Sequence, residues 1–276
     1  MIEVDIEKCI GCGACAADCP AANITIRDAK AVHGRWCIVC GHCTAVCPTG
    51  AARPPQNHDP SEILEYDDPV KFQIEPERLL NFVKFRRSVR QYTDEPVSDT
   101  DIARIVEMGR YTQTGANTQL LRYIVLSPET LREITPVALE ALAGLDVKSV
   151  DREKMRMPHQ YLDYQHIWRN WWKVYQSKKK DLLFHAAPHA LLIVSRTGNE
   201  VDGCFNAGHL ELMINSLGLG ACMMGFGTFA FAVSPGLRDR VGLKEDESVI
   251  FMMVFGHPQV KYLRTVARRP SRWEKI

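Results

Sequence analysis

The sequence predicts a protein of mixed helix and strand in two parts, a small cysteine-bound module and a larger domain of α/β or α+β architecture. Three observations carry this prediction. Four cysteines in "CIGCGACAADCP", Cys9 to Pro20, recur at the same spacing in "CIVCGHCTAVCP", Cys37 to Pro48. A proline-rich stretch follows the second run. Beyond it, about 200 residues, enough for one sizeable core, alternate the apolar periods of helices and strands.

Each cysteine run reads C-x2-C-x2-C-x3-C-P. A disulfide framework, a zinc site and an iron-sulfur cluster are the candidate uses. Zinc modules pair their ligands as two separated C-x2-C units, and three cysteines at successive offsets of three fit that poorly. The spacing matches the bacterial 4Fe-4S signature, in which the fourth cysteine of each run reaches the neighbouring cluster. The crossing rule assigns Cys9, Cys12, Cys15 and Cys47 to one 4Fe-4S cluster. Cys37, Cys40, Cys43 and Cys19 fall to the other. Gly11, Gly13 and Gly41 suit the tight loops, because glycine accepts positive φ and brings backbone amides near sulfur. "NITI" and "AVHG" are expected to form a hairpin between the runs, completing a ferredoxin-like domain over residues 1–53.

"RPPQNHDPSEILEYDDPVKFQIEP" carries five prolines. It cannot be one long helix and reads as an extended linker over residues 54–76. The second domain is expected over residues 77–276. "SDTDIARIVEMGR" opens on cap residues and sets Ile102, Ile105, Val106 and Met108 on one helical face. "YIVLS", "HALLIVS" and "SVIFMMVFGHP" read as buried strands of a sheet covered on both sides. "NAGHLELMINSLGLG" spaces Leu210, Met213, Ile214 and Leu217 helically, with Gly218 placed to end the helix. "GLGACMMGFG" is glycine-rich but follows a helix, which argues against a dinucleotide fingerprint. Cys204 and Cys222 stand apart from the cysteine runs and read as core thiols. His159, His166 and His185 are too scattered to suggest a metal.

"FRRSVRQY", Phe85 to Tyr92, sets three arginines and a serine in five positions. Such a cluster suits an anion, since guanidinium groups pair with phosphate oxygens and a hydroxyl completes the cradle. A solvated charged turn is the alternative. "TGANTQLLRY" adds amide side chains in a glycine-containing loop, and "RTVARRP" is a second basic cluster. Phosphate and amide contacts without a dinucleotide fingerprint suggest a mononucleotide.

In order and spacing, "RRSVRQYTDEPV", "GANTQLLRYIVL", "NAGHLELMINSLGLGACMMGFG" and "FGHPQVKYLRTVARRP" resemble the FMN-dependent nitroreductase family, and the cysteine runs resemble its ferredoxin-fused members. The resemblance covers nearly the whole chain, weakening in the linker and between about Leu145 and Asp181. It implies an α+β fold, a nitroreductase-like FMN-binding α/β sandwich behind a small bacterial ferredoxin-like domain. It further implies a homodimer with two FMN sites at the subunit interface. By position, Arg86, Arg87, Ser88 and Arg90 would meet the FMN phosphate and ribityl chain, and Asn117 and Gln119 would lie near the ring system. Met224, Gly225 and Phe226 would approach the flavin edge near N5, and Arg268 with Arg269 would close the phosphate site. Leu120, Leu121, Met223 and Met224 depart from the residues many members carry there, so substrate preference does not transfer.

The activity so implied is that of an FMN-dependent oxidoreductase. It would receive electrons through two 4Fe-4S clusters and reduce a small aromatic or quinone-like acceptor, such as a nitroaromatic, a quinone or an activated alkene. Ferredoxin or NAD(P)H would be the donor. Redox chemistry would belong to the cofactors, and no side-chain acid or base is singled out. Two other readings stand: a relay passing electrons to a protein partner without small-molecule turnover, and flavin remodelling or removal of halogen from aromatic rings.

"YLDYQHIWRNWWKVYQ" concentrates aromatics that suit either a lid over the flavin, with Trp168, Trp171 and Trp172, or a helix packed on a dimer partner. The net charge of +1 with interspersed signs gives no footprint for nucleic acid. The acidic opening "MIEVDIEKCI" leaves no room for a signal peptide before Cys9. No apolar run approaches the ~18 residues of a membrane span, so a soluble cytoplasmic protein is expected.

Overall fold

The computed structural model describes residues 2–146, 164–196 and 198–276. Its chain forms two compact units, Met1–Ile74 with Thr114–Gln119, and Glu75–Gln113 with Leu120–Ile276. In the smaller unit, β1 (Glu3–Val4) pairs antiparallel with β4 (Ala52–Arg53). The hairpin expected between the cysteine runs is present as β2 (Ile24–Arg27) and β3 (Lys30–His33). Its turn residues Asp28 and Ala29 have φ of 49° and 58°, the left-handed pair that lets a two-residue turn follow strand twist.

Each cysteine run ends in a single helical turn, α1 (Ala14–Ala17) and α2 (His42–Ala45). The apolar core beneath them consists of Ile2, Ile24, Ala31, Ala51 and Ala52 with Cys9 and Cys43. So few apolar groups give a module of this size little hydrophobic stabilisation. In residues 54–74, prolines restrict helix to the turn Pro60–Glu62 and to α3 (Pro69–Phe72). Asp59 and Asp68 cap them by accepting from Ser61 and Val70 N–H, both at 2.9 Å.

The larger unit contains α4 (Pro76–Phe85), α5 (Asp99–Arg110), β5 (Arg122–Leu126), α6 (Pro128–Gly144) and α7 (Gln165–Lys178). After these come β6 (His189–Arg196), α8 (Glu200–Ser216), β7 (Gly220–Met223), α9 (Gly225–Val233), α10 (Pro235–Arg240) and β8 (Glu247–Gly256). The four strands form one antiparallel sheet in the order β5-β6-β8-β7. Strand alternation divides the core between its faces. Leu192, Val194, Met252 and Val254 pack with α6, α7 and α9, whereas Leu191, Ile193, Met253 and Phe255 pack with α5 and α8. The sheet is therefore covered on both sides, as the uninterrupted apolar runs of β6 and β8 require.

The expected helices follow their patterns. Ser98 caps α5 by accepting from Asp101 N–H at 3.1 Å, and Gly218 ends α8 at φ 76°. The helix α8 begins six residues before the Asn206 of the expected segment, at Glu200. Strand β7 was hidden in "GLGACMMGFG", where four residues with a glycine carry little strand signal. Gly220 is needed there for close approach, because a Cβ would stand 2.4 Å from Val89 Cγ2.

A bidentate pair ties β5 to β8. Arg122 donates Nε to Glu247 Oε1 at 3.0 Å and Nη2 to Oε2 at 2.6 Å. The Arg122 hydrogen bonds hold the Glu247 carboxyl down to about 2, against 4.5 for the free group. The stabilisation is present above the unfolded value and is lost as pH falls from about 4.5 toward about 2. Arg122 is 40% exposed, so Glu247→Gln is expected to cost only about 1 kcal/mol at neutral pH. The difference between Glu247→Gln and parent in anaerobic urea unfolding, followed by tryptophan fluorescence, should shrink below pH 4.5.

Candidate functional site

The eight cysteines of the two runs line two cavities in the smaller unit, in interleaved sets. One cavity is lined by Cys19, Cys37, Cys40 and Cys43, with Ile2, Ile24 and Trp36 among its other walls. The second is lined by Cys9, Cys12, Cys15 and Cys47, with Ile26, Ala31 and Ala51. These are the quartets given by the crossing rule. Among the described residues no group of three His, Cys, Asp or Glu side chains converges as one metal ion requires. The thiols surround space instead, which fits a polynuclear cluster.

Backbone amides are aimed at the sulfurs. Asn23 N–H donates to Cys19 Sγ at 3.3 Å, Ala31 to Cys9 at 3.4 Å, Val39 to Cys37 at 3.4 Å and Ala51 to Cys47 at 3.2 Å. Such bonds stabilise negative charge on thiolate and raise the potential of a bound cluster. Burial pushes the Cys43 thiol up to about 11, so metal must displace its proton on binding.

The larger unit assembles a second polar site. The segment Arg86–Thr93 is anchored along its length. Arg86 Nη1 donates to Glu211 Oε1 on α8 at 2.8 Å. Val89 N–H bonds Ala221 O of β7 at 2.9 Å, and Thr93 N–H bonds His257 O at 2.9 Å. Tyr92 hydroxyl donates back to Val89 O at 2.7 Å. Beside this segment, β7 passes through Met224, whose N–H bonds Met252 O at 2.8 Å, into α9. The first helical bond of α9 is that of Thr228 N–H to Met224 O, at 2.8 Å, so the positive end of the helix dipole begins where β7 ends.

Charge at this site is positive. Glu211 answers Arg86, while Arg90 donates Nη1 to Ser88 O at 3.5 Å. Arg87 donates Nη2 to Lys84 O, but its buried Nε has no hydrogen-bond partner among the described residues. A buried guanidinium donor without an acceptor fits an anionic ligand. Burial, then the Arg90 charge, holds the His185 imidazole below its ordinary value, so His185 is neutral at pH 7.

The other expected site residues are distributed differently. Asn117 and Gln119 lie in the smaller unit, where Asn117 Nδ2 donates to Ile38 O at 3.1 Å and Val39 O at 2.9 Å. Both amide hydrogens are thereby used within the cysteine module. Arg268 and Arg269 stand exposed in the segment after β8. Leu120 is also exposed, whereas Leu121 and Met223 pack on the α5–α8 face and Met224 is buried on the other.

Trp168 is fully buried, packed edge-on to Phe226 at 5.5 Å and tilted against Phe229 at 5.8 Å. It is a core residue and not an exposed lid. Trp171 and Tyr164 also meet Phe226, at 5.8 and 5.3 Å, so α7 backs the first turn of α9. Trp172 stacks on Tyr175. Residues 161–163 of the aromatic stretch, and His159, lie outside the described residues. Cys222 is buried as expected, but Cys204 is exposed on α8, because its position on the helix faces away from the sheet. Among the described residues no helix is long and apolar enough to cross a membrane.

The profile of the Nitroreductase family matches residues 83–257, and that of a 4Fe-4S dicluster domain matches residues 8–51. Iodotyrosine deiodinase from Hydra vulgaris is 24% identical over 187 residues, 63% of this chain, and the chain spans 62% of that relative's length. A nitroreductase with bound FMN from Bacteroides fragilis superposes with a TM-score of 0.57 at 17% identity, over 72% of this chain and 98% of its own. One with bound FMN from Desulfitobacterium hafniense gives 0.54 at 22% identity, over 73% and 100%. The family match spans the arginine segment, the sheet and α9, and the dicluster match spans both cysteine runs. The chain thus belongs to the nitroreductase family, a family of oxidoreductases, and carries a 4Fe-4S dicluster domain ahead of it.

Proposed function

We propose that this protein is an FMN-dependent oxidoreductase fed through two 4Fe-4S clusters, acting as a homodimer on a small aromatic or quinone-like acceptor such as a nitroaromatic, a quinone or an activated alkene. The observation that carries the reading is the presence in one chain of two interleaved cysteine quartets and of an arginine segment anchored along β7 with a buried guanidinium donor. Cys9, Cys12, Cys15 and Cys47 would hold one cluster, and Cys37, Cys40, Cys43 and Cys19 the other. When bound, the clusters would supply single-electron transfer and FMN transfer of an electron pair.

The chain's own residues bind and orient. Arg87 and Arg90 would pair with the FMN phosphate and Ser88 would add a hydroxyl, while Arg86 is held by Glu211 and fixes the start of the segment. Gly225 and Phe226 would present amides of the α9 N-terminus, where the helix dipole favours developing negative charge. Trp168, Trp171 and Tyr164, packed on Phe226, hold that turn rigid and dry. FMN-bound structures of the same fold from B. fragilis and D. hafniense support the choice of flavin.

The test is anaerobic purification with iron, sulfide and flavin analysis, then stepwise reduction by NADH, NADPH and reduced ferredoxin in parallel. Roughly eight irons and one FMN per chain are expected, the irons following from two four-iron clusters. Ferredoxin should reduce the flavin, and an added nitroaromatic or quinone should reoxidise it. A protein without flavin, or a reduced flavin that no acceptor reoxidises, overturns the proposal.

A further inference from the structure

Aligned by their cysteines, the two runs differ at one position that matters for backbone geometry. Gly11 of "CIGC" corresponds to Val39 of "CIVC". Both residues are left-handed, Gly11 at φ 68° and Val39 at φ 55°. Glycine adopts that conformation freely, whereas a β-branched residue is strained in it. The strain at Val39 therefore needs a support that the first run does without.

The support comes from the segment Thr114–Gln119, which belongs to the smaller unit although it lies nearly eighty residues downstream. The Asn117 side-chain amide donates to the carbonyls on both sides of the strained residue, Ile38 O at 3.1 Å and Val39 O at 2.9 Å. Its orientation is unambiguous, because only a donor suits two carbonyls. Its Oδ1 accepts from Gln119 Nε2 at 3.1 Å, and Gln119 N–H is held by Thr114 Oγ1 at 3.0 Å. Asn117 itself is left-handed, at φ 55°, a conformation asparagine tolerates better than most residues. In its left-handed state, Val39 turns its own N–H onto Cys37 Sγ at 3.4 Å.

We infer that Asn117 is a positioning residue for the Cys37–Cys40 loop, clamping Val39 in its left-handed state so that the Val39 amide stays on the Cys37 sulfur. The inference rests on the proposed role of these cysteines as cluster ligands. Loss of an N–H···S bond lowers a cluster's potential. Asn117→Ala should therefore make the cluster held by Cys19, Cys37, Cys40 and Cys43 harder to reduce, by about tenfold in its one-electron equilibrium, or 59 mV. The other cluster should be unaffected.

The experiment is anaerobic redox titration followed by electron paramagnetic resonance on parent, Asn117→Ala, Val39→Gly and the double variant. Cys15→Ser, which retains only the affected cluster, assigns the signals. With glycine at 39 the left-handed backbone needs no clamp, so adding Asn117→Ala to Val39→Gly should change the potential less than twofold in equilibrium. If Asn117→Ala instead loses half its iron and Val39→Gly restores it, the clamp is equally supported. Parent-like potentials and iron content in Asn117→Ala overturn the inference, as does an undiminished effect in the Val39→Gly background. Parent protein lacking two clusters fails earlier, at iron analysis, and removes the reading on which the inference rests.

Discussion

Cys19→Ser is expected to remove the cluster proposed for the second cysteine run, not the one proposed for the first. Its iron content is expected to fall from about eight to about four per chain, and its residual paramagnetic signal to match that of Cys37→Ser. Cys47→Ser should match Cys12→Ser instead. The reason is in the cavity linings, which place Cys19 with Cys37, Cys40 and Cys43, and Cys47 with Cys9, Cys12 and Cys15. Serine is a poor ligand for iron held by thiolate, and the small apolar core leaves the module dependent on its ligands for stability. Each loss should thus be accompanied by easier proteolysis within the first 53 residues. If Cys19→Ser groups with Cys9→Ser and Cys12→Ser, each run binds its own cluster and the crossed assignment is wrong.

Arg87→Ala should weaken FMN binding by about 10- to 100-fold, the weight of one charge-assisted hydrogen-bonding group, with little change in the folded structure. Among the described residues Arg87 bonds Lys84 O and its buried Nε has no partner, so the protein without ligand loses little when it is removed. Arg86→Ala should behave in the opposite way. It strands Glu211, whose side chain is 10% exposed, and should cost about 2 kcal/mol or more in stability before it affects flavin. Arg87→Lys should fall between Arg87→Ala and parent, since an ammonium retains charge but not the paired geometry. Flavin fluorescence quenching on titration of apoprotein measures all three. Unchanged affinity in Arg87→Ala would move the anion site away from this segment.

Much of the cysteine module was legible in the sequence because its rules are local. Ligand spacing, the glycines and the two-residue turn between β2 and β3 act over three to a dozen residues, and the crossed quartets follow from a spacing rule. The buried strands β6 and β8 and the caps of α5 and α8 are local in the same sense, since a continuous apolar run or a serine before a helical period states its own burial. The arginine segment suggested an anion site for the same reason, its charges being adjacent in the chain.

What the sequence could not state is partnership. Apolar alternation says that β6 has two covered faces but not that β8 and β5 flank it, nor that the short glycine-containing β7 closes the sheet beside Val89. Trp168 carries the same chemistry in a lid as in a core, and only packing against Phe226 and Phe229 decides between them. Asn117 reads as a flavin contact by position, yet its hydrogen bonds go to Ile38 and Val39. Those choices depend on which distant groups the folded backbone brings within bonding distance. Residue type and spacing limit what a side chain can bond, and tertiary structure selects the partner.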